Sequence, residues 1–199
     1  MIKLLGRATS GNVQKVIFAL EELGLPYERQ DYGRQFENTT TPEYTAMNPM
    51  KKVPTLIDGG LVIWQSNTIL RYLAAKTGSA LYPADAGQRS HVERWMDWTL
   101  AELNPAYLAG FRDAKKTEGE RGADTVANLE AELRLLEAHF AKNAFAAGPA
   151  ITLADVALAP IVKRCVGFPF GIKERVPHVV KWLDSLLARP AFQKAVATG

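Results

Sequence analysis

Pro54 constrains this chain more than any other residue. It stands in the short apolar run Val53-Pro54-Thr55-Leu56, which reads as the start of a strand. Proline has no N–H to give to a ladder, so it must occupy a strand's first residue or an edge. The backbone of Val53 is thereby left open to pair with something extended. Asp58-Gly59-Gly60 then turns the chain, Leu61-Val62-Ile63-Trp64 makes the second arm of a hairpin, and Gln65-Ser66-Asn67-Thr68 opens a helical pattern. Free N–H groups and the dipole at that helix start attract a carboxylate. An edge open to a peptide, beside a site that holds a carboxylate, describes a pocket for a small acidic peptide. The plainer reading of the same residues is a hairpin followed by a capped helix.

The flanking segments fall into a recognisable order. Residues 2–6 read as a buried strand, and Met1-Ile2-Lys3-Leu4-Leu5 is too short for a signal peptide. Val13, Val16, Ile17, Leu20 and Leu23 recur at helical spacing, with Gly24 and Pro26 as stops. Residues 27–32 read as a second strand, 33–41 as polar and irregular, and Pro42–Met47 as a short helix broken by Asn48-Pro49. Strands at Thr55–Asp58 and Leu61–Trp64 and a helix over about 66–76, closed by Gly78, complete the half. The order βαβ, short helix, ββα is the thioredoxin-like arrangement, with a mixed four-stranded sheet and a right-handed first crossover.

Residues 79–87, with Pro83 and Gly87, read as a linker, and everything after them is helical. The expected division is an α/β domain over 1–78 and an all-α domain over 88–199. Val92, Trp95, Met96, Thr99 and Leu103 line one long helix that Pro105 should kink. Residues 115–123 are charged and glycine-containing, so a mobile loop is expected. Val126, Leu129, Leu133, Leu136 and Phe140 mark the next helix, and Gly148-Pro149 breaks the chain. Thr152 and Asp155 stand as a capping box, with Ile151 and Val156 as its hydrophobic staple. Val179, Val180, Leu183, Leu186 and Leu187 mark a further helix, and Pro190 starts a last short one.

Composition excludes several classes. With 47% hydrophobic and 23% charged residues the chain should pack a globular core. No apolar run approaches the ~20 residues that span a bilayer. Cys165 is the only cysteine, which rules out an internal disulfide and a multi-thiolate zinc site and reads as a core thiol. Together these point to the cytoplasm. The net charge of +3 is scattered; Lys51-Lys52 and Lys115-Lys116 are pairs rather than a patch, and no nucleic-acid motif accompanies them. His91, His139 and His178 make no ligand spacing, so no metal site is expected, and Asp97 reads as an exposed helix acid.

The segments Val53-Pro54-Thr55-Leu56, Gln65-Ser66-Asn67-Thr68-Ile69-Leu70-Arg71-Tyr72-Leu73, Thr152-Leu153-Ala154-Asp155 and Arg189-Pro190-Ala191-Phe192 resemble the cytosolic glutathione S-transferases, across essentially the whole chain. The resemblance implies that Pro54 is cis, that Val53 pairs with the cysteinyl backbone of glutathione, and that Gln65 and Ser66 hold its γ-glutamyl end. Gln65 replaces the commoner Glu, and Lys51 stands where the family often has Gly. Lys52 is then a candidate for the glycyl carboxylate, with Gln35 and Asn38 in the loop that reaches that end. Glutathione would be a co-substrate, with no redox cofactor or metal. A small electrophile or disulfide would lie against the helical domain, near Ala8, Tyr107, Phe111 and Arg112, although an aromatic stripe at helical spacing is also what a core helix presents. A homodimer is implied, with Arg71 as an interface candidate and no nucleic-acid or membrane partner.

The chemistry asked of such a site is thiol activation. A free thiol has a pKa near 8.5, and lowering it by ~2 units corresponds to ~2.7 kcal/mol in favour of the thiolate. The loop before the first helix offers Ser10, Asn12 and Thr9 as donors, in that order of preference. Ser10 and Asn12 fall where bacterial nu-like members carry a Thr and an Asn, so a nu-like or theta-like enzyme is expected. The loop holds no tyrosine and no cysteine, which excludes the tyrosine, omega and beta types and a C-x-x-C mechanism. Either Ser10 or Asn12 could instead simply cap the helix. The expected activity is glutathione transfer to an electrophile. The alternatives are a glutathione-dependent disulfide reductase or peroxidase, and a non-catalytic member that binds glutathione or a protein.

Overall fold

A computed structural model of the chain describes residues 1–197. Two compact units divide it: Met1–Tyr82 together with the chain from Arg189, and Pro83–Ala188.

In the first unit β1 (Ile2–Leu5) is followed by α1 (Gly11–Glu22), β2 (Tyr27–Gln30), α2 (Pro42–Met47), β3 (Thr55–Asp58), β4 (Leu61–Trp64) and α3 (Ser66–Thr77). The sheet order is β2-β1-β3-β4, with β1 parallel to β2 and antiparallel to β3. This is the expected mixed thioredoxin-like sheet. Leu4 and Leu56 face each other across β1 and β3, and both are fully buried, so the register is fixed by the core. Val13, Val16, Ile17 and Leu20 of α1 close over that core. β2 ends two residues earlier than expected. Beyond it Asn38 ties its own loop down, accepting from the Gly33 N–H at 3.0 Å and donating to the Asp31 carbonyl at 3.0 Å.

The last helix belongs to this unit, not to the helical one, which corrects the expected single domain over 88–199. The chain crosses back because α1 offers an apolar partner. The ring of Phe192 lies 4.9 Å from that of Phe18, and both are fully buried. Arg189 pairs with Glu22 of α1 at the start of the segment.

The second unit holds α4 (Ala86–Trp98), α5 (Asn104–Asp113), α6 (Thr125–Phe140), α7 (Leu153–Val166) and α8 (Pro177–Leu187); α9 (Pro190–Val196) is the helix already placed in the first. Pro105 acts one turn early. It lacks the N–H that an α-helix would return to Ala101, and the stretch Thr99–Leu103 is a π-helix in which Asn104 donates to the Thr99 carbonyl. Residues 115–123 form a closed structure rather than the expected loose loop. Asp113 binds Lys116 at 2.7 Å and accepts from the Gly122 N–H at 2.8 Å and the Thr125 hydroxyl at 2.7 Å. Thr117 and Glu120 make a capping box on the turn Glu118–Glu120.

α7 is the buried axis of this unit. The Thr152–Asp155 box is present, and Asp155 also accepts from the Ala146 N–H at 2.8 Å and from the Trp182 indole at 3.1 Å. Burial pushes the Asp155 carboxyl up, and those donors pull against it. Cys165 is buried as expected, and its burial raises the thiol far out of the reactive range.

Two stability predictions follow from these contacts. Thr152→Ala should destabilise the protein by ~0.5–2 kcal/mol in denaturant titrations. Lys116, then the Gly122 N–H and the Thr125 hydroxyl, hold Asp113 well below the usual carboxylate range. A depressed carboxylate stabilises above its unfolded pKa of ~3.9 and loses that effect as pH falls through the lower folded value. Asp113→Asn should therefore have a lower Tm at neutral pH, and the gap to the parent should narrow once pH falls below ~3.9.

Candidate functional site

The first unit carries a small cavity, about 60 Å³, at the end of the sheet where β3 begins. Its walls come from three directions. Asn12 reaches it from the first turn of α1; Lys52, Val53 and Pro54 form the approach to β3; Trp64, Gln65 and Ser66 form the passage from β4 into α3. The Val53–Pro54 bond is cis, as the resemblance implied. Asn48 and Met50 complete the lining. No acidic side chain lines it, and Lys52 is exposed at its rim, so the local charge favours an anion.

Local geometry explains the arrangement. Gly6 lets the end of β1 approach closely: a Cβ there would lie 2.5 Å from a methyl of Val13 and 3.3 Å from the Val53 Cβ. Gln65, at the N-cap of α3, has φ 71° and ψ 115°, a conformation that L residues rarely hold, and its side chain does not cap the helix. The hydroxyl of Ser66 donates to Asn12 Oδ1 at 3.3 Å, joining the two helix starts. Behind the cavity, Tyr44 Oη and Asn48 Nδ2 both donate to the Lys52 carbonyl, at 2.7 and 2.8 Å. Thr55 Oγ1 lies 2.9 Å from Tyr44 Oη and 3.0 Å from Asn48 Nδ2.

The structure thus brings Asn12, Lys52, Val53, Pro54, Gln65 and Ser66 together. It places the other candidates elsewhere. Ser10 is the N-cap of α1 and is 8% exposed, but its hydroxyl makes no capping bond and it does not line the cavity. Thr9 is exposed. Gln35 is exposed in the turn Arg34–Phe36, outside the lining, and Asn38 serves its own loop. Tyr107, Phe111 and Arg112 lie on α5 in the second unit. Tyr107 is buried there with its ring stacked on Phe168 at 6.1 Å, Phe111 is half-buried, and Arg112 is exposed.

Tyr44, Asn48, Met50, Thr55 and Trp64 were not singled out from sequence. Tyr44 lies in α2 and Asn48 is the extended residue that ends it, so no helical spacing marked the pair in the sequence. A larger hollow of about 450 Å³ lies in the second unit between the end of α6 and α8. Its fixed polar groups are engaged: His178 with Glu137, the Trp182 indole with Asp155, and the Ser185 hydroxyl with the Trp182 carbonyl.

The backbone of Gln65 yields a prediction. At this positive φ glycine is unstrained and alanine is not, so Gln65→Gly should be more stable than Gln65→Ala by about 1 kcal/mol in urea titrations. Equal stabilities would mean that the φ is relaxed in solution.

Two family models match the chain. The glutathione S-transferase N-terminal domain covers residues 2–75, and the glutathione S-transferase C-terminal domain covers residues 99–190. The chain is 36% identical to glutathione S-transferase GstB of Escherichia coli (strain K12), over 98% of each sequence. It is 33% identical to glutathione S-transferase 3 of Zea mays, over 98% of this chain and 93% of the other. Among solved structures, the theta class glutathione S-transferase of Xanthomonas axonopodis pv. citri, with glutathione bound, aligns at a TM-score of 0.92 and 34% identity, over 100% of this chain and 98% of that one.

Proposed function

The chain belongs to the glutathione S-transferase family, and from that membership we propose that it holds glutathione at the cavity beside cis-Pro54 and directs its thiolate at an electrophilic small molecule. One observation carries the reading: the open backbone of Val53 and the N-terminus of α3 share one acid-free cavity. The cavity is too small for a whole tripeptide, so it serves as the anchor point and the rest of the ligand lies across the surface around it.

The roles follow from chemistry. Val53 pairs with the cysteinyl backbone. The γ-glutamyl carboxylate meets the N-terminus of α3, where the Ser66 N–H and the Gln65 amide can donate to it. Lys52 faces the glycyl carboxylate, and Gln35 is the second candidate at that end. The thiol lies toward the start of α1. Ser10 remains the first candidate donor, because α1 does not use its hydroxyl as a cap. Asn12 is second; Ser66 occupies its carbonyl oxygen and leaves its amide N–H groups to donate. Thr9 is third. A hydrogen bond to a charged acceptor contributes ~1.5–3 kcal/mol and a helix N-terminus ~0.3–1 kcal/mol. Their sum covers the ~2.7 kcal/mol that a two-unit shift requires.

The protein's further part is to orient the electrophile for attack. Tyr107, Phe111 and Arg112 are the candidate side chains for it. Reduction of a disulfide or peroxide by the same thiolate is the second reading. It is supported by the Ser10 and Asn12 loop, which has no cysteine, so that glutathione itself supplies the sulfur. A homodimer is part of the proposal. It is supported by Leu61 and Val62, 48% and 37% exposed on the edge strand β4. A cytoplasmic location fits the single buried cysteine. Among the described residues, no helix is long and apolar enough to cross a membrane.

The deciding measurement is the ultraviolet difference spectrum of glutathione added to the protein, titrated from about pH 5 to about pH 9. The expected result is a thiolate midpoint ~2 units below the free value of ~8.5, raised by ~1 unit or more in Ser10→Ala or Asn12→Ala. Binding with an unshifted midpoint would make this a glutathione-binding protein without activation. A full screen of electrophiles and disulfides with the parent then separates transfer from reduction.

A further inference from the structure

The hydrogen bonds behind the cavity can be assigned proton by proton. The Lys52 carbonyl only accepts, and Tyr44 has one hydroxyl proton, so at 2.7 Å that proton goes to Lys52. The Tyr44–Thr55 contact of 2.9 Å must then be donated by the Thr55 hydroxyl. The two amide protons of Asn48 go to the Lys52 carbonyl and to Thr55 Oγ1, at 2.8 and 3.0 Å, while its carbonyl accepts from the Met50 N–H at 3.0 Å. Each proton has one destination. Tyr44, Asn48 and Thr55 are 1%, 2% and 0% exposed, so no water competes for these groups.

This ring acts on the peptide plane between Lys52 and Val53. In a trans peptide the carbonyl and the N–H point in opposite directions. The carbonyl is fixed toward the buried ring, so the Val53 N–H is fixed away from it. That N–H has no backbone acceptor among the described residues, and Lys52 and Val53 both line the cavity. Pro54, the next residue, has no N–H at all. The loop therefore presents a single oriented donor to an extended chain.

We propose that Tyr44, Asn48 and Thr55 are positioning residues for the peptide substrate, acting through the Lys52–Val53 peptide plane; Tyr44 and Thr55 do so from outside the cavity lining. This rests on the assignment of the cavity to glutathione. Loss of the Tyr44 hydroxyl, or of the Thr55 hydroxyl that orients Tyr44 and Asn48, loosens the hold on the plane, which weakens glutathione capture and leaves the chemistry of the bound thiol alone.

The test is steady-state kinetics with glutathione and an activated chloronitrobenzene, beside thermal melts and the thiolate titration, on Tyr44→Phe, Thr55→Val and Thr55→Ser. Tyr44→Phe and Thr55→Val should raise the glutathione KM ~3–10-fold, the effect of one such hydrogen bond. In both, kcat at saturating glutathione, the KM for the chloronitrobenzene and the thiolate midpoint should stay at parent values. Thr55→Ser, which keeps the hydroxyl, should restore the parent KM. A lower Tm with an unchanged glutathione KM would overturn the proposal and leave the ring a purely structural brace. So would a fall in kcat at unchanged KM, or a Thr55→Ser as impaired as Thr55→Val. If Tyr44→Phe does not fold, the Thr55 pair decides alone. A parent protein that glutathione does not saturate would remove the glutathione assignment itself, and this proposal with it; a saturable parent with an unchanged Tyr44→Phe KM removes only the role of the ring.

Discussion

A proline at the head of a central strand governs the first unit. β3 is hydrogen-bonded on both sides, to β1 and to β4, and in both ladders its first residue, Thr55, is the last pair: with Leu5 on one side and with Trp64 on the other. Pro54 has no N–H with which to extend a ladder, and both ladders stop before it. β1 and β4 therefore end at the same edge of the sheet, and the helices that follow them, α1 and α3, both begin at that edge. Two helix N-termini and one unpaired backbone segment converge there because one residue prevents the sheet from going further.

The convergence is held by small distances. Gly6 admits the Val13 side chain where any Cβ would collide with it, and the Ser66 hydroxyl bonds to Asn12 across the gap. Gln65 stays in a sparsely populated backbone region at the start of α3, which is the kind of local strain that folds retain where a side chain or an N–H must face a ligand. The second unit is organised differently. Its buried carboxylate Asp155 accepts from the Thr152 and Ala146 N–H groups and from Trp182, and so ties α7 to α8 and to the preceding loop. Asp113 has the opposite shift because an ammonium, Lys116, stands beside it. Both acids act on the fold.

Much of this was legible because proline and glycine punctuate the chain. Asp58-Gly59-Gly60 located the hairpin, Gly78 closed α3, and Thr152 with Asp155 announced a capping box that the structure contains. The features that escaped depend on contacts distant in sequence. Nothing local says that the apolar side of 190–196 packs on α1 instead of on the helices just before it, since both surfaces are apolar. A charged, glycine-containing stretch such as 115–123 looks unstructured until Asp113 is seen to gather its N–H and hydroxyl groups. Tyr44 and Asn48 read as a short helix and its breaker. Their role needs the loop at 48–54 to fold back so that one carbonyl meets both donors.

Hydrogen-bond accounting also distinguishes a site from a hollow. The 450 Å³ space beside α8 is several times larger than the cavity at Pro54, yet its fixed polar groups already have partners within the protein. The smaller cavity is built the other way. The Lys52 carbonyl is satisfied by Tyr44 and Asn48, which Thr55 joins, and the Val53 N–H on the other side of that peptide plane has no backbone acceptor among the described residues. A fold can leave polar groups unpaired where water reaches them at little cost, and a ligand that replaces that water with matched acceptors gains the orientation already built into the donors. The proposed function therefore follows the placement of the open Val53 N–H and not the size of the space.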